Sequence, residues 1–353
     1  MKSTYKLAGV DIDAAGSLSE KYEPLIEYTR TPGVIPNRDG FNALFRFFGI
    51  GAGTPMKTWR DPILVCGNDG VGTKLMIAQI LDKHDTVGVD LVATNVNDVL
   101  VQGAEPLFFM DYIGRTSVSD KTVLQLVTSI AVSCREAGCA LLGGETAELP
   151  EFYSNGQYEL AGFCVGAVEN EDLIRVGRIC PGDVIIGLFS SGIHCEGFSL
   201  VRRIICDASL DLSRRYGPLE ESLGEELLKP TRIYARPILD ILADRDGKES
   251  LHALAFISGG GIIENIPRVL PKNCDARIRC ASWARPAIFT LLAQKGNVDE
   301  REMFRTFNMG IGMAVFVDPR RLELITNTFD CHGFGHAVIG EVVAGKGAVI
   351  LSQ

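Results

Sequence analysis

The chain has 353 residues, of which 46% are hydrophobic and 22% charged, with a formal net charge of -9. Such a balance describes a globular protein with full cores, and the length suggests two domains, since a single core rarely grows beyond about 250–300 residues. An acidic surface argues against nucleic acid or an anionic membrane as partners, while still admitting a phosphorylated small molecule held by local amides, cations or metals.

The first residues, Met1 to Lys6, are polar and lack the roughly 7–15-residue apolar core of a secretory signal. No stretch approaches the about 18 apolar residues of a membrane-spanning helix. Ten cysteines lie scattered without a CxxC pair, which suits reduced thiols and a cytoplasmic location. Cys331, His332 and His336 look metal-like. They lack a fourth ligand and a paired motif, so ordinary side chains are expected.

In chain order, the polar first forty residues are interrupted by Pro24, Pro32 and Pro36 and predict a short helix and a flexible arm. A buried strand is predicted over 62–66, followed by a turn-rich segment, Gly67–Lys74. A helix follows over 86–103, a strand over 107–112, a helix over 120–138, a short strand over 140–142 and a strand over 158–168. Polar residues 169–178 and the Pro181-Gly182-Asp183 turn set a domain boundary near 172. The second half restarts with a buried strand over 184–189, then helices near 196–207 and 231–245. A Gly259-Gly260-Gly261 loop opens a helix ending near Pro267. A helix at 285–295, a strand at 309–317, a helix at 319–329 and strands at 335–343 and 348–351 complete it. Strands alternating with helices indicate mixed α/β layers in each domain.

Five segments carry candidate chemistry. In Gly67–Lys74 (GNDGVGTK), glycines such as Gly70 and Gly72 let the backbone approach a ligand closely. Asp69 offers oxygen to a hard cation, and Lys74 a point charge to phosphate. The segment is not a P-loop, and its chemistry serves equally well in a strand-to-loop turn. In the helix over 86–103, Asp90, Thr94, Asn97 and Asp98 share one face. That stripe contains no Lys, Arg or Glu, which favours cation binding over a solvated face. The third segment, LLGGETAELP, presents Gly143 and Gly144, then Glu145 and Glu148, as an acidic tip at a strand end, although taken alone it reads as a turn with surface glutamates. In SSGIHCEG, Ser190, Ser191 and Gly192 precede a helix and offer free amides to phosphate, with His194 as a titratable group. The fifth segment, Gly259, Gly260 and Gly261 after Ser258, offers a second anion nest or a tight turn.

Taken together and in order, these segments resemble the aminoimidazole ribonucleotide synthetase family, also called phosphoribosylformylglycinamidine cyclo-ligase. The matching stretches include AGVDIDA (Ala8–Ala14), GNDGVGTK, His84–Tyr112, GGETAELP, Ala161–Glu169, SSGIHCEGFSLVR, KPTRIY (Lys229–Tyr234), Gly259–Pro271 and FRTFNMGIGM (Phe304–Met313). The sequence departs from the family pattern at Pro36–Asn42, where the family has a glycine-rich loop. It departs again at Cys195-Glu196, and at Phe256, where the family commonly has histidine.

The resemblance implies an α/β, mixed α+β fold. An N-terminal ATP-binding and dimerisation domain would span 1–172, its mixed sheet and helices forming a dimer-interface barrel. A C-terminal α/β sandwich over 173–353 would complete the active-site cleft. The resemblance also implies a homodimer that converts formylglycinamidine ribonucleotide and ATP to aminoimidazole ribonucleotide, ADP and phosphate in de novo purine biosynthesis. By the same resemblance, Asp69, Asp98 and Glu145 would hold Mg²⁺ and ATP, with Thr73, Lys74 and Asn97 supporting the phosphates or the metal. Ser190, Ser191, Gly192 and His194 would line the cleft, and His194 would serve proton transfer or steady the phosphoryl group. A noncatalytic nucleotide-binding paralogue acting as sensor or scaffold is the competing expectation.

Overall fold

The computed structural model describes residues 12–36, 42–51 and 54–352. Residues 37–41, the middle of the loop that departs from the family pattern, and Ala8–Asp11 lie outside the described residues. The chain divides into two compact units. One comprises 1–99 with 104–171, the other 100–103 with 172–353.

In the first unit, helix α1 (Ile12–Tyr28) contains Pro24, where the sequence suggested a break. It packs on α4 and the seventh strand, both defined below, with Leu18 only 1% exposed. That burial outweighs the local cost of the proline. Val34–Ile35 (β1) pairs with Leu44–Phe45 (β2), and Ile50–Gly51 (β3) with Thr54–Pro55 (β4). The main sheet consists of β5 (Pro62–Gly70), β6 (Glu105–Arg115), β7 (Ala140–Glu148) and β8 (Tyr158–Glu169). Its order is β5-β8-β6-β7, with only β6 and β7 parallel. It is an open four-stranded sheet rather than a barrel within one chain.

Helices α2 (Lys74–Ile80), α3 (Val87–Leu100) and α4 (Asp120–Ala137) complete this unit. Leu91, Val92, Val96 and Val99 of α3 are fully buried, each contributing about 1.5–3 kcal/mol. Gly88 lets α3 and α4 approach closely, since a Cβ there would lie 2.8 Å from the Leu126 carbonyl oxygen. Ser119 caps α4 by accepting from the Thr122 amide, and Gly138 ends it with a left-handed φ of 82°.

Strand β5 was expected to be buried and to end at Cys66. Instead it is an edge strand that runs on to Gly70, with Leu64, Cys66 and Asn68 exposed. An apolar run shared between two faces of an edge strand reads in sequence like a fully buried one. Strand β7 likewise continues to Glu148, because parallel pairing with β6 offsets the poor strand propensity of Gly143-Gly144.

The second unit contains a six-stranded sheet. Its strands are β9 (Val184–Phe189), β10 (Leu251–Phe256), β11 (Cys274–Arg279), β12 (Ile311–Val317), β13 (His336–Ala344) and β14 (Val349–Ser352). Their order is β10-β12-β9-β13-β11-β14, with only β11 and β14 parallel. Every residue of β12 is buried, as befits an interior strand. The helices are α5 (Phe198–Asp207), α6 (Leu223–Leu227), α7 (Ala235–Ala243), α8 (Arg245–Ser250), α9 (Gly261–Asn265), α10 (Ala287–Gly296), α11 (Glu300–Thr306) and α12 (Leu322–Cys331). No helix among the described residues is long and apolar enough to cross a membrane.

Candidate functional site

In the first unit, the end of β5 and one side of α3 come together. Gly67 permits the approach. A Cβ there would lie 3.0 Å from the Asn95 carbonyl oxygen and 3.7 Å from the Asp98 Cβ. Asn95 is fully buried, and its amide nitrogen donates to the Asp69 carbonyl at 3.2 Å and to the Leu91 carbonyl at 2.8 Å. Gly162 on β8 makes room, since a Cβ there would sit 2.8 Å from that Asn95 amide. Asp69 and Asp98 thus lie on two backbone segments packed against each other, and both are exposed. Sequence reasoning overlooked Asn95, although a polar residue set among the apolar positions of α3 was the available signal.

Glu145 does not join this pair within one chain. The register aligns Asp69 with Gly162, Asp111 and Gly144, whereas Glu145 aligns with Tyr112, Ala161 and Gly70. Neighbouring rows point to opposite faces. Asp69 therefore projects toward the helix-covered face and Glu145 toward the open one. They also stand on opposite edges of the sheet, three strand spacings or about 14 Å apart. The expected three-carboxylate cluster reduces to two in a single chain, because sequence spacing carries no information about which face of the sheet each carboxylate occupies.

Most of the polar stripe on α3 is internal. Asp90, Thr94 and Asn97 are at most 1% exposed, and only Asp98 reaches solvent. The Lys74 ammonium lies 2.8 Å from the Asp90 carboxylate, with neither side chain exposed. Lys74, expected at a phosphate, opens α2 as an internal ion-pair partner. Thr73 precedes it, and Gly72 is exposed with a φ of 71°. In the sheet itself, Asp111 went unnoticed in sequence. A Cβ on Gly144 would meet its carboxylate oxygen at 2.3 Å. The residue keeps some exposure, but desolvation by burial pushes its carboxyl up to about 7.

In the second unit, β9 and β10 end where β12 begins, and the glycine-rich loops gather there. His194 has a φ of 68° and is 1% exposed. Its ring stacks on Phe256 at 6.4 Å, and its Nε2 accepts from the Ser191 amide at 3.4 Å. Gly312 makes the space, since a Cβ there would meet both His194 Cε1 and the Tyr234 hydroxyl. A ring so enclosed shapes the loop, in contrast to the cleft-lining, proton-transferring position expected for it.

Asn308 organises the same loop. Its amide nitrogen donates to the carbonyls of Gly192 (2.9 Å) and Ile193 (3.0 Å). Its oxygen accepts from the Gly310 amide (2.8 Å) and the Ser190 hydroxyl (3.1 Å). From the KPTRIY stretch, the Pro230 carbonyl accepts from the Ser191 hydroxyl, and the Tyr234 hydroxyl donates to the Phe189 carbonyl at 3.1 Å. The Gly259–Gly261 turn lies alongside, where a Cβ on Gly259 would be 3.1 Å from a Glu196 carboxylate oxygen. Asn265 ties the turn by donating to the carbonyls of Ser258, Gly259 and Gly261. Cys331, His332 and His336 form no three-donor group among the described residues.

Two family models match the chain, "AIR synthase related protein, N-terminal domain" over residues 57–168 and "AIR synthase related protein, C-terminal domain" over 180–352. A phosphoribosylformylglycinamidine cyclo-ligase from Trichlorobacter lovleyi is 46% identical over 342 residues, covering 97% of this chain and 95% of the relative. One from Thermoanaerobacter pseudethanolicus is 47% identical over 349 residues, covering 98% and 99%. Among solved structures, a thiamine-monophosphate kinase from Stenotrophomonas maltophilia has the same fold, with a TM-score of 0.67, 16% identity and coverage of 95% of this chain and 96% of that one. The hydrogenase maturation protein HypE in complex with ATP gives a TM-score of 0.65 and 15% identity, covering 96% and 91%. With near-complete coverage at this identity, the chain belongs to the phosphoribosylformylglycinamidine cyclo-ligase family.

Proposed function

We propose that this chain is the ATP-dependent ligase that closes the imidazole ring of aminoimidazole ribonucleotide in purine biosynthesis, using formylglycinamidine ribonucleotide as substrate. The observation that carries the reading is identity of 46–47% over almost the whole of both chains to cyclo-ligases. In the reaction, the γ-phosphoryl group of ATP moves to the formamide oxygen and ADP leaves. The amidine nitrogen then attacks the same carbon, the C–O bond breaks, phosphate departs and the nitrogen sheds a proton. Phosphoryl transfer asks a protein mainly for positioning and charge neutralisation. Holding the chain curled makes ring closure intramolecular, which can remove several kcal/mol of barrier.

Asp69 and Asp98 are our candidates for holding Mg²⁺ with the nucleotide. Support comes from their exposure and from the packing of β5 on α3, where Asn95 holds the Asp69 main-chain carbonyl and Gly67 lets the strand pass close to Asp98. Mg²⁺ would supply neutralisation of phosphate charge. Gly70, Gly72 and Thr73 would approach the phosphates, while Lys74 would brace that loop from inside through Asp90. In the second unit, the Ser190–Gly192 and Gly259–Gly261 backbones are candidate phosphate seats, with His194 and Asn308 fixing the first.

We also propose a cytoplasmic homodimer that pairs through the open sheet face. Support comes from the exposed Leu64 (57%), Tyr112 (39%) and Phe163 (38%) on that face, which also carries Glu145. Sedimentation should show a dimer that Phe163→Glu dissociates. A wild-type monomer at micromolar concentration would remove this part of the proposal. The activity itself is tested by incubating the protein with formylglycinamidine ribonucleotide and Mg-ATP. Equal amounts of aminoimidazole ribonucleotide, ADP and phosphate are expected, and nucleotide binding without product would defeat the reading.

A further inference from the structure

At the other end of β9 from the glycine loops, three donor atoms of different chemistry converge. The turn Cys180-Pro181-Gly182-Asp183 closes on itself, with the Asp183 amide donating to the Cys180 carbonyl at 3.1 Å. Asp183 is 2% exposed. One of its carboxylate oxygens accepts from the Cys180 amide at 3.0 Å, and the other accepts from the Cys180 thiol at 3.4 Å. The third donor comes from a distant part of the sequence. His252 is the unmatched residue of an irregularity in β10, where Leu251 faces Val317 and Ala253 already faces Phe316. A bulge re-aims the extra side chain. Here it brings His252 Nδ1 to 2.7 Å from the Asp183 carboxylate.

The Cys180 sulfur, a His252 ring nitrogen and an Asp183 oxygen all lie within 4.8 Å of one another. They border a cavity of about 680 Å³. Four carboxylates (Asp183, Asp246, Glu249 and Asp318) line it against two guanidiniums, Arg320 and Arg321. These two are engaged with Asp318 and Asp246.

We propose that Cys180, Asp183 and His252 form a site for a borderline transition-metal ion of the Zn²⁺ class. One sulfur, one nitrogen and one oxygen suit Zn²⁺ or Co²⁺ and are a poor set for Mg²⁺ or Ca²⁺. Small adjustments from the observed separations would admit metal–ligand bonds of about 2.0–2.3 Å. The cavity leaves a fourth position open to water. The six-residue length of β9, about 20 Å, separates this cluster from the glycine loops of the same unit.

The test is a Co²⁺ titration of chelator-treated full-length protein without nucleotide. One Co²⁺ per chain is expected, with a near-ultraviolet thiolate-to-cobalt absorption that Zn²⁺ abolishes by displacement. Cys180→Ser should lose that absorption and bind Zn²⁺ at least tenfold more weakly. His252→Gln should weaken Zn²⁺ by a similar factor, and both variants should lose the rise in melting temperature that Zn²⁺ gives the wild type. Carboxylates alone give no thiolate absorption, so the readout is independent of the Asp69 and Asp98 region. Absence of the absorption, or its persistence in Cys180→Ser, would overturn the proposal.

Discussion

Lys74 and Asp90 form an ion pair of 2.8 Å with both side chains fully buried. The pair fastens the start of α2 to α3, directly behind the loop that carries Gly70 and Gly72. Removing one partner strands a buried charge, which costs about 3–5 kcal/mol. Lys74→Met and Asp90→Leu should each lower stability by that order, and the double variant should lose less than the sum. Urea unfolding of the four proteins measures this. Single variants within about 1 kcal/mol of wild type would show that the pair is not needed.

A second prediction concerns Asp69 and Asp98, the proposed cation ligands. Asp69→Asn and Asp98→Asn conserve volume and remove a cation ligand each. Mg-ATP turnover should fall by something like 10²–10³ in each, the loss typical of one preorganised electrostatic contact. Their effects should couple by more than about 0.5 kcal/mol, because neighbours in one site are not additive. Isothermal titration and steady-state rates on the singles and the double variant decide it. Strict additivity would separate Asp69 from Asp98.

Much of this arrangement was legible in the sequence. The run Val184–Phe189 became β9 at its expected bounds, because a short apolar stretch between turn signals has few other solutions. The helix around Asp98 was likewise readable from periodicity, whereas the strand expected over 62–66 runs on through Asp69 to Gly70. What could not be read was facing and depth. The stripe of Asp90, Thr94 and Asn97 shares one helix face, yet that face packs inward. Glu145 follows two glycines at a strand position like many exposed acids, and only the register with Tyr112 puts it on the open face. His194 in a Ser/Gly loop looked accessible, yet Phe256 and Gly312, distant in sequence, pack against it. Periodicity reports local geometry, whereas burial is settled by partners far along the chain.

Asp111 supplies a pH prediction. Burial raises its carboxyl to about 7, and Tyr22 and Cys134 are its titratable neighbours. A carboxyl raised in the folded state is protonated in both states below the unfolded value near 3.9. As pH rises toward 7, the unfolded chain releases that proton first, so folding stability falls, and the loss levels off above about 7. Asp111→Asn should remove this slope. Urea midpoints between pH 5 and 8 should show wild type losing ground to the variant as pH rises, by on the order of a few kcal/mol. Parallel pH profiles for the two proteins would show that Asp111 is not the linked group.

The last prediction isolates Asn308. Its amide is satisfied on both ends, with the nitrogen on two carbonyls of the Ser190–Gly197 loop and the oxygen on the Gly310 amide and the Ser190 hydroxyl. Asn308→Asp is nearly isosteric and keeps the acceptor. It replaces the donor with an oxygen facing the Gly192 and Ile193 carbonyls, so two attractions become repulsions at a residue that is 2% exposed. An unsatisfied buried polar group costs about 1–3 kcal/mol, and a repelled buried carboxylate should reach the upper part of that range. Asn308→Ala removes the clash and leaves the loop carbonyls unmet, so it should cost less than Asn308→Asp. If the loop seats a phosphate, both variants should also raise the substrate KM more than they lower kcat, since they loosen a binding surface and leave Asp69 and Asp98 untouched. Urea unfolding with an unchanged slope and a lowered midpoint would register the stability loss, and steady-state kinetics the KM effect. The reverse order, with Asn308→Ala the more damaging, would mean that the side chain matters for the space it fills and not for the bonds it makes.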